Sequence, residues 1–202
     1  MAKPTMNLAL ATGVLALGIS TAVSAGGTAT ASMLSGTCNS CHGRNGNSLG
    51  PALPSIAQME KTTFIEAMKK FQSGKTYSTI MERIAKGYTD EEIELMADYF
   101  AARKFVPAKQ EFDPAAAKKG AKLHDQYCGS CHVEGGKPLV GEDVEYYLLA
   151  GQWTPYLENT LVDFREGRRE MPRRMKKKLD KLIKKEGDKG LAAINAFYAS
   201  QQ

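Results

Sequence analysis

Residues 122–139 read KLHDQYCGSCHVEGGKPL, and residues 37–51 have already supplied the same core pattern in TCNSCHGRNGNSLGP. All four cysteines of the 202-residue chain are used in these two Cys-x-x-Cys-His pentads, Cys38 and Cys41, then Cys128 and Cys131. Two of the three histidines, His42 and His132, close them. A pattern that consumes every cysteine twice over implies one purpose carried out at two places.

Four chemistries use such cysteines. A zinc site would join Cys-x-x-Cys pairs some 15 to 20 residues apart, whereas Cys128 follows Cys41 by 87 positions. A thioredoxin-like redox pair requires a strand–helix–strand context, and no strand signal of useful length occurs. Disulfides inside each pair would close very small loops and leave both histidines without a role. Covalent attachment of haem c uses every residue: two thiols add to the haem vinyl groups, and the adjacent histidine is carried to the iron as an axial ligand. The expectation is two haem c groups, held by Cys38 and Cys41 with His42, and by Cys128 and Cys131 with His132.

Sequence on either side of the pentads repeats as well. After His42 come a Gly/Pro-rich loop at 43–54, then TTFIEAMKKFQSG, TIMERIAKG and TDEEIELMADYFAAR. After His132 come VEGGKPLVG, YLENTLVDFREG, PRRMKKKL and GLAAINAFYASQ. Phe71-x-x-Gly74 matches Phe164-x-x-Gly167, and each copy ends on adjacent aromatics, Tyr99-Phe100 and Phe197-Tyr198. Apolar spacing in the closing segments is helical, with Asp90 and Asp188 where N-caps belong. Residues 106–113 read as a linker, with a new helix opening at Pro114. The expected architecture is all-α, in two small domains at 26–105 and 114–202. Domains of that size bury too little surface to be stable unaided, and a covalent apolar macrocycle would complete each core. Gly120 and Tyr127 are placed to let the first and last helices of the second domain cross closely.

Residues 1–25 stand apart. One lysine precedes an apolar run at 8–19 and a small-residue end at Val23-Ser24-Ala25, the pattern of an export leader cleaved after Ala25. The run is short of the roughly 20 residues that cross a bilayer, and no later stretch is apolar enough to do so. The mature chain is therefore expected to be exported, without a membrane span. The net charge of +5 is a poor argument for nucleic acid. Twelve basic residues nevertheless fall at 165–189. They read as the solvated face of a helix whose buried side is Leu179, Leu182 and Ile183, or alternatively as a basic rim that steers an acidic partner.

The sixth iron ligand separates catalysis from electron transfer, because a His/Met pair closes the iron and raises its potential. Met81, seven residues past Gly74, is the candidate in the first copy; Met59, Met68 and Met96 fall in helical patterns that suit core filling. In the second copy Met175, eight residues past Gly167, opens a similar segment. Met171 is the alternative, with the same His-to-Met separation of 39 residues as His42 and Met81. His124 lies on the same helix as Cys128, badly placed to cross the haem, and reads as a surface residue. Trp153 could present its indole N–H to a haem propionate or a backbone carbonyl, or serve as a plain core residue.

With these positions in hand the chain resembles a tandem of class I cytochrome c domains. The stretches GPALPSIAQM, TIMERIAKGYT, GAKLHDQYC, CHVEGGKPL, LAGQWTPYL, DFREGRR and AFYASQQ are similar to the dihaem cytochrome subunits of flavocytochrome c sulfide dehydrogenases, over essentially the whole mature chain. That resemblance implies a periplasmic electron-transfer subunit, not catalytic by itself. It would be bound to an FAD-containing flavoprotein subunit that oxidises sulfide, and would pass electrons to a soluble acceptor such as a small cytochrome c. It carries over Cys38, Cys41, His42 and Met81 for one haem and Cys128, Cys131, His132 and Met175 for the other. The residues alone reach a dihaem electron carrier, so a free carrier remains the second expectation. A dihaem peroxidase, which needs an open iron, is disfavoured by a candidate Met in each copy.

Overall fold

A computed structural model of the protein describes residues 29–138 and 147–202; the leader expected at 1–25 lies outside them. The first half runs α1 (Ala31–Gly36), α2 (Asn39–His42), a 3₁₀ turn at Arg44–Gly46, α3 (Lys61–Gln72), α4 (Met81–Ala85) and α5 (Asp90–Ala101). The second runs α6 (Pro114–Tyr127), a 3₁₀ turn at Glu134–Gly136, α7 (Thr154–Arg165) and α8 (Arg173–Ala199). Among the described residues there is no strand.

Local chemistry accounts for most of the boundaries. The Glu60 carboxylate accepts from the backbone N–H groups of Thr62 and Thr63 and so starts α3. Asp113 caps α6, with Pro114 at its first position as the sequence implies. At α5 the cap is Thr89 rather than Asp90: Thr89 and Glu92 form a reciprocal capping box, leaving Asp90 as the first helical residue. A hydroxyl one position earlier, with a glutamate three residues on, satisfies two N–H groups where Asp90 would satisfy one. The two segments expected at the end of the chain join into α8, which breaks its geometry at Gly187 (φ 63°, ψ −163°) immediately before Asp188. Both Phe-x-x-Gly marks behave alike. Gly74 and Gly167 follow α3 and α7 with positive φ of 68° and 73°, which reverses the chain at each helix end.

Each half has its own core. Leu34, Phe64, Met68, Ile93, Met96 and Phe100 gather α1, α3 and α5, and Met68 and Met96 are the core fillers their spacing implies. Leu123, Tyr127, Leu157, Leu182, Leu191, Ile194 and Tyr198 gather α6, α7 and α8. In α8, Leu179 and Leu182 are buried and Ile183 packs against the cluster, so the basic run is the outer face of an amphipathic helix. Gly120 sits where α6 crosses α8, against the backbone of Ala193.

The repeat is visible in the hydrogen bonds. Gly46 O accepts from the N–H groups of Ile56 and Ala57 (2.7 and 3.0 Å), as Gly136 O does from Leu149 and Ala150 (both 2.9 Å). Phe100 O accepts from Gln58 N–H (2.8 Å), as Tyr198 O does from Gly151 N–H (2.9 Å). Position by position, 56–58 in one half therefore correspond to 149–151 in the other.

The halves meet through a small shared cluster of Ala57, Phe105 and Leu148 and several bonds that cross between them. The segment joining them is itself held. Val106 N–H donates to Asn47 Oδ1 (2.7 Å), Asn47 Nδ2 donates to Lys104 O (3.0 Å), and Ala108 N–H donates to Gly151 O (2.8 Å).

Candidate haem sites

One helical turn builds each site. Cys41 and His42 both donate their backbone N–H to Cys38 O (3.2 and 2.8 Å), and Cys131 and His132 repeat this at Cys128 O (3.0 and 2.9 Å). A turn of this kind sets positions i, i+3 and i+4 on one side, so each pentad offers two thiols and an imidazole to a common neighbour. No two of the four cysteines are joined in a disulfide. Burial pushes the Cys38 thiol up and holds Cys128 at about 11. Neither is poised as the low-pKa thiolate of a redox-reactive cysteine is.

Burial lowers the pKa of both pentad histidines and holds His132 at about 4, where the neighbouring His124 adds to the effect. A neutral imidazole is the form that binds a metal. His42 lies buried with Nδ1 2.9 Å from Pro54 O. A carbonyl oxygen can only accept, so Nδ1 carries the proton and Nε2 keeps its lone pair for a metal. This fixed tautomer, beside the two cysteines of the same turn, fits the haem c expectation on the chain's own geometry.

The methionines separate by packing. Met81 opens α4 and packs against the first core, as does Cys38. In the second half Met171 packs against the core together with Cys128. Met175 is half-buried on the first turn of α8.

His124 is not on the surface. It is 1% exposed, its ring lies 5.3 Å from Phe197 and 5.5 Å from Tyr198, and its Nδ1 is hydrogen-bonded to Tyr198 Oη (3.0 Å). Residues 120, 124 and 127 share one face of α6, the face that meets α8, and that periodicity was the available signal. Trp153 donates its indole N–H to a backbone carbonyl, Ser48 O in the opposite half (3.0 Å). Three contributors were not expected from the sequence. Pro54 supplies the acceptor for His42, Tyr88 Oη bonds Thr37 Oγ1 beside Cys38 (2.7 Å), and Gln152 crosses to Ser55.

Comparison with known proteins agrees with this chemistry. Residues 115–182 match the family described as cytochrome c oxidase, cbb3-type, subunit III. Cytochrome c4 of Stutzerimonas stutzeri is 32% identical over 150 residues, 65% of this chain and 69% of the relative. The cytochrome subunit of sulfide dehydrogenase from Chlorobaculum tepidum is 46% identical over 67 residues, 33% of this chain and 60% of that one. The crystal structure of reduced recombinant cytochrome c4 from Pseudomonas stutzeri superposes with a TM-score of 0.67 at 27% identity, covering 85% of this chain and 98% of that one. On the fold, the paired pentads and these relatives together, the chain belongs to the cytochrome c family, as an all-helical electron-transfer protein of the cytochrome c4 kind with two covalently bound haem c groups.

Proposed function

We propose that the chain is the electron-transfer subunit of an exported oxidoreductase. It accepts electrons from an FAD-containing flavoprotein subunit that oxidises sulfide, and passes them through its two haems to a soluble acceptor such as a small cytochrome c in the periplasm. The observation that carries this reading is the 46% identity over 67 residues with the Chlorobaculum tepidum sulfide dehydrogenase subunit, higher than the identity to cytochrome c4 over its longer match. Cys38, Cys41 and His42 would hold the first haem, with Met81 as a further iron ligand. Cys128, Cys131 and His132 would hold the second, with Met175 or Met171 as a further iron ligand. The packing of Met171 against the second core, which Cys128 also joins, favours Met171. Bound haem supplies a one-electron couple. The protein keeps the imidazoles neutral and orients His42 through Pro54, and a methionine ligand would leave the iron no open position for substrate.

The longer cytochrome c4 match, 65% of the chain against 33%, favours a second reading, a free dihaem carrier. Gentle purification from the native periplasm decides between them. A flavin signal co-eluting with the haem bands and a second polypeptide, followed by haem reduction on adding sulfide, establishes the subunit. A haem-only monomer that sulfide leaves oxidised establishes the carrier.

The ligand assignments have their own test. Met81→Leu, Met171→Leu and Met175→Leu are examined for the far-red charge-transfer band of ferric His/Met haem. Loss of half its intensity identifies a ligand, and unchanged intensity clears that methionine.

A further inference from the structure

Gln152 comes from the second half, yet its carboxamide is spent on one backbone residue of the first. Ser55 N–H donates to Gln152 Oε1 (2.9 Å), and Gln152 Nε2 donates back to Ser55 O (2.7 Å). Because the backbone presents one donor and one acceptor, the amide can sit only this way round. Both residues are 2% exposed, so water does not compete for these bonds.

The Ser55 N–H and the Pro54 carbonyl belong to the same peptide group. That carbonyl accepts from His42 Nδ1. Gln152, one peptide group and His42 therefore form a continuous chain of two hydrogen bonds, in which the halves of the molecule meet at the back of a candidate iron ligand. An acceptor placed on a peptide N–H polarises the amide toward its oxygen and makes the carbonyl a better acceptor, so linked hydrogen bonds strengthen one another in a dry interior. A stronger bond at Nδ1–H raises the basicity of the imidazole at Nε2, and a more basic ligand favours the oxidised metal.

We propose that Gln152 is a positioning residue for His42. By holding the Pro54–Ser55 peptide it strengthens the His42 Nδ1–H bond, and it ties the potential of the first haem to the docking of the second half. The proposal rests on His42 being an axial ligand. It is one-sided by construction. In the repeat defined by the shared backbone bonds, 56–58 correspond to 149–151, so the counterpart of Gln152 is Met59, whose thioether packs against the first core. Only the first haem should respond.

The test uses the holoprotein. Gln152→Met removes both bonds at similar volume, while Gln152→Glu keeps an oxygen acceptor of greater strength for Ser55 N–H. Trp153→Phe loosens the same interface through the Ser48 bond without touching the Pro54–Ser55 peptide. The readouts are the His42 Nδ1–H proton resonance in the reduced protein and the two haem potentials. Expected for Gln152→Met is an upfield move of that resonance and a rise in the first haem's reduced-to-oxidised ratio of about threefold at fixed applied potential, with the second haem unchanged. Gln152→Glu should move both readouts the opposite way, and Trp153→Phe neither.

An unmoved resonance in Gln152→Met overturns the proposal, and so do equal shifts of both haems in Gln152→Met and Trp153→Phe, which would report a loosened interface. If the His42 ring protons of the parent protein lack the strong upfield shift of an axial ligand, the ligand assignment itself fails, and the proposal with it. The opposed signs keep the test decisive should one of the Gln152 variants not accumulate.

Discussion

Gly120 and Ala193 meet backbone to backbone: a Cβ built at 120 would overlap the Ala193 carbonyl and stand 2.9 Å from Phe197 Cβ. This contact allows α6 to approach α8 closely enough for Tyr127, Leu123 and His124 to be covered by α8. The opposing atoms are main chain, so no rotamer change relieves the overlap. Gly120→Ala is expected to cost about 3 kcal/mol, the upper end for overpacking a core. Denaturant unfolding followed at the second haem's visible band checks it.

Gly187 and Gly167 have positive φ and open space around the missing Cβ, yet they should respond differently to alanine. Gly167 follows α7 in a left-handed turn with φ 73°, which an L-residue enters for about 1 kcal/mol. Gly187 combines φ 63° with ψ −163° inside α8, a region reserved almost wholly to glycine, so Gly187→Ala should cost about 3 kcal/mol. Since neither alanine touches a neighbour, the difference between the two melting curves isolates backbone conformation. Equal losses would mean that α8 straightens through the break.

The sequence-level reading worked where a signal repeats or is chemically unusual. The pentads, the Phe-x-x-Gly helix ends and the terminal aromatics are each present twice, and the repetition carried the all-α tandem reading without any measured contact. Single residues fared less well. Thr89 took the α5 cap from Asp90 because it reaches its N–H with a partner three positions on. His124 was misplaced because position relative to a cysteine was weighed above its place on the face shared with Gly120 and Tyr127. Gln152 was invisible for a deeper reason. Its partner is a backbone group 97 positions away, and a backbone group leaves no mark on sequence pattern. Met171 packs against the second core while Met175 is half-buried at the start of α8, a difference that spacing counts cannot weigh.

Glu60 gives a pH-dependent prediction. Burial by itself would raise its carboxyl pKa, but hydrogen bonds from Thr62 and Thr63 outweigh burial and hold it below the ordinary value. A carboxylate held lower in the folded state contributes stability that is present above its unfolded pKa and is lost as pH falls through the folded one. Glu60→Ala should therefore cost about 1 kcal/mol near neutral pH, the usual value of an N-cap. The gap between parent and variant should close as pH falls below about 4. Unfolding curves at several pH values measure that gap; a gap that widens on acidification would refute the capping account.

Asn47 holds the segment between the halves by both ends of its side chain, accepting from Val106 N–H and donating to Lys104 O. It follows the 3₁₀ turn that leads out of the first pentad, so the covalent site and the connection to the second half share an anchor. Replacing it with alanine removes two exposed hydrogen bonds, a loss of at most about 2 kcal/mol at the usual net value per bond. The visible spectrum should stay intact, because no pentad contact is touched. The loss should be local rather than global, appearing as faster proteolytic cleavage within 104–113 while the unfolding midpoint of each haem moves little. Cleavage there tracks the population of locally opened chain. A protease time course on parent and Asn47→Ala holoprotein thus reports directly how tightly the connection is held. If the rates are equal, the bonds from Ala108 to Gly151 and from Phe105 to Gln58 are sufficient to hold the segment without Asn47.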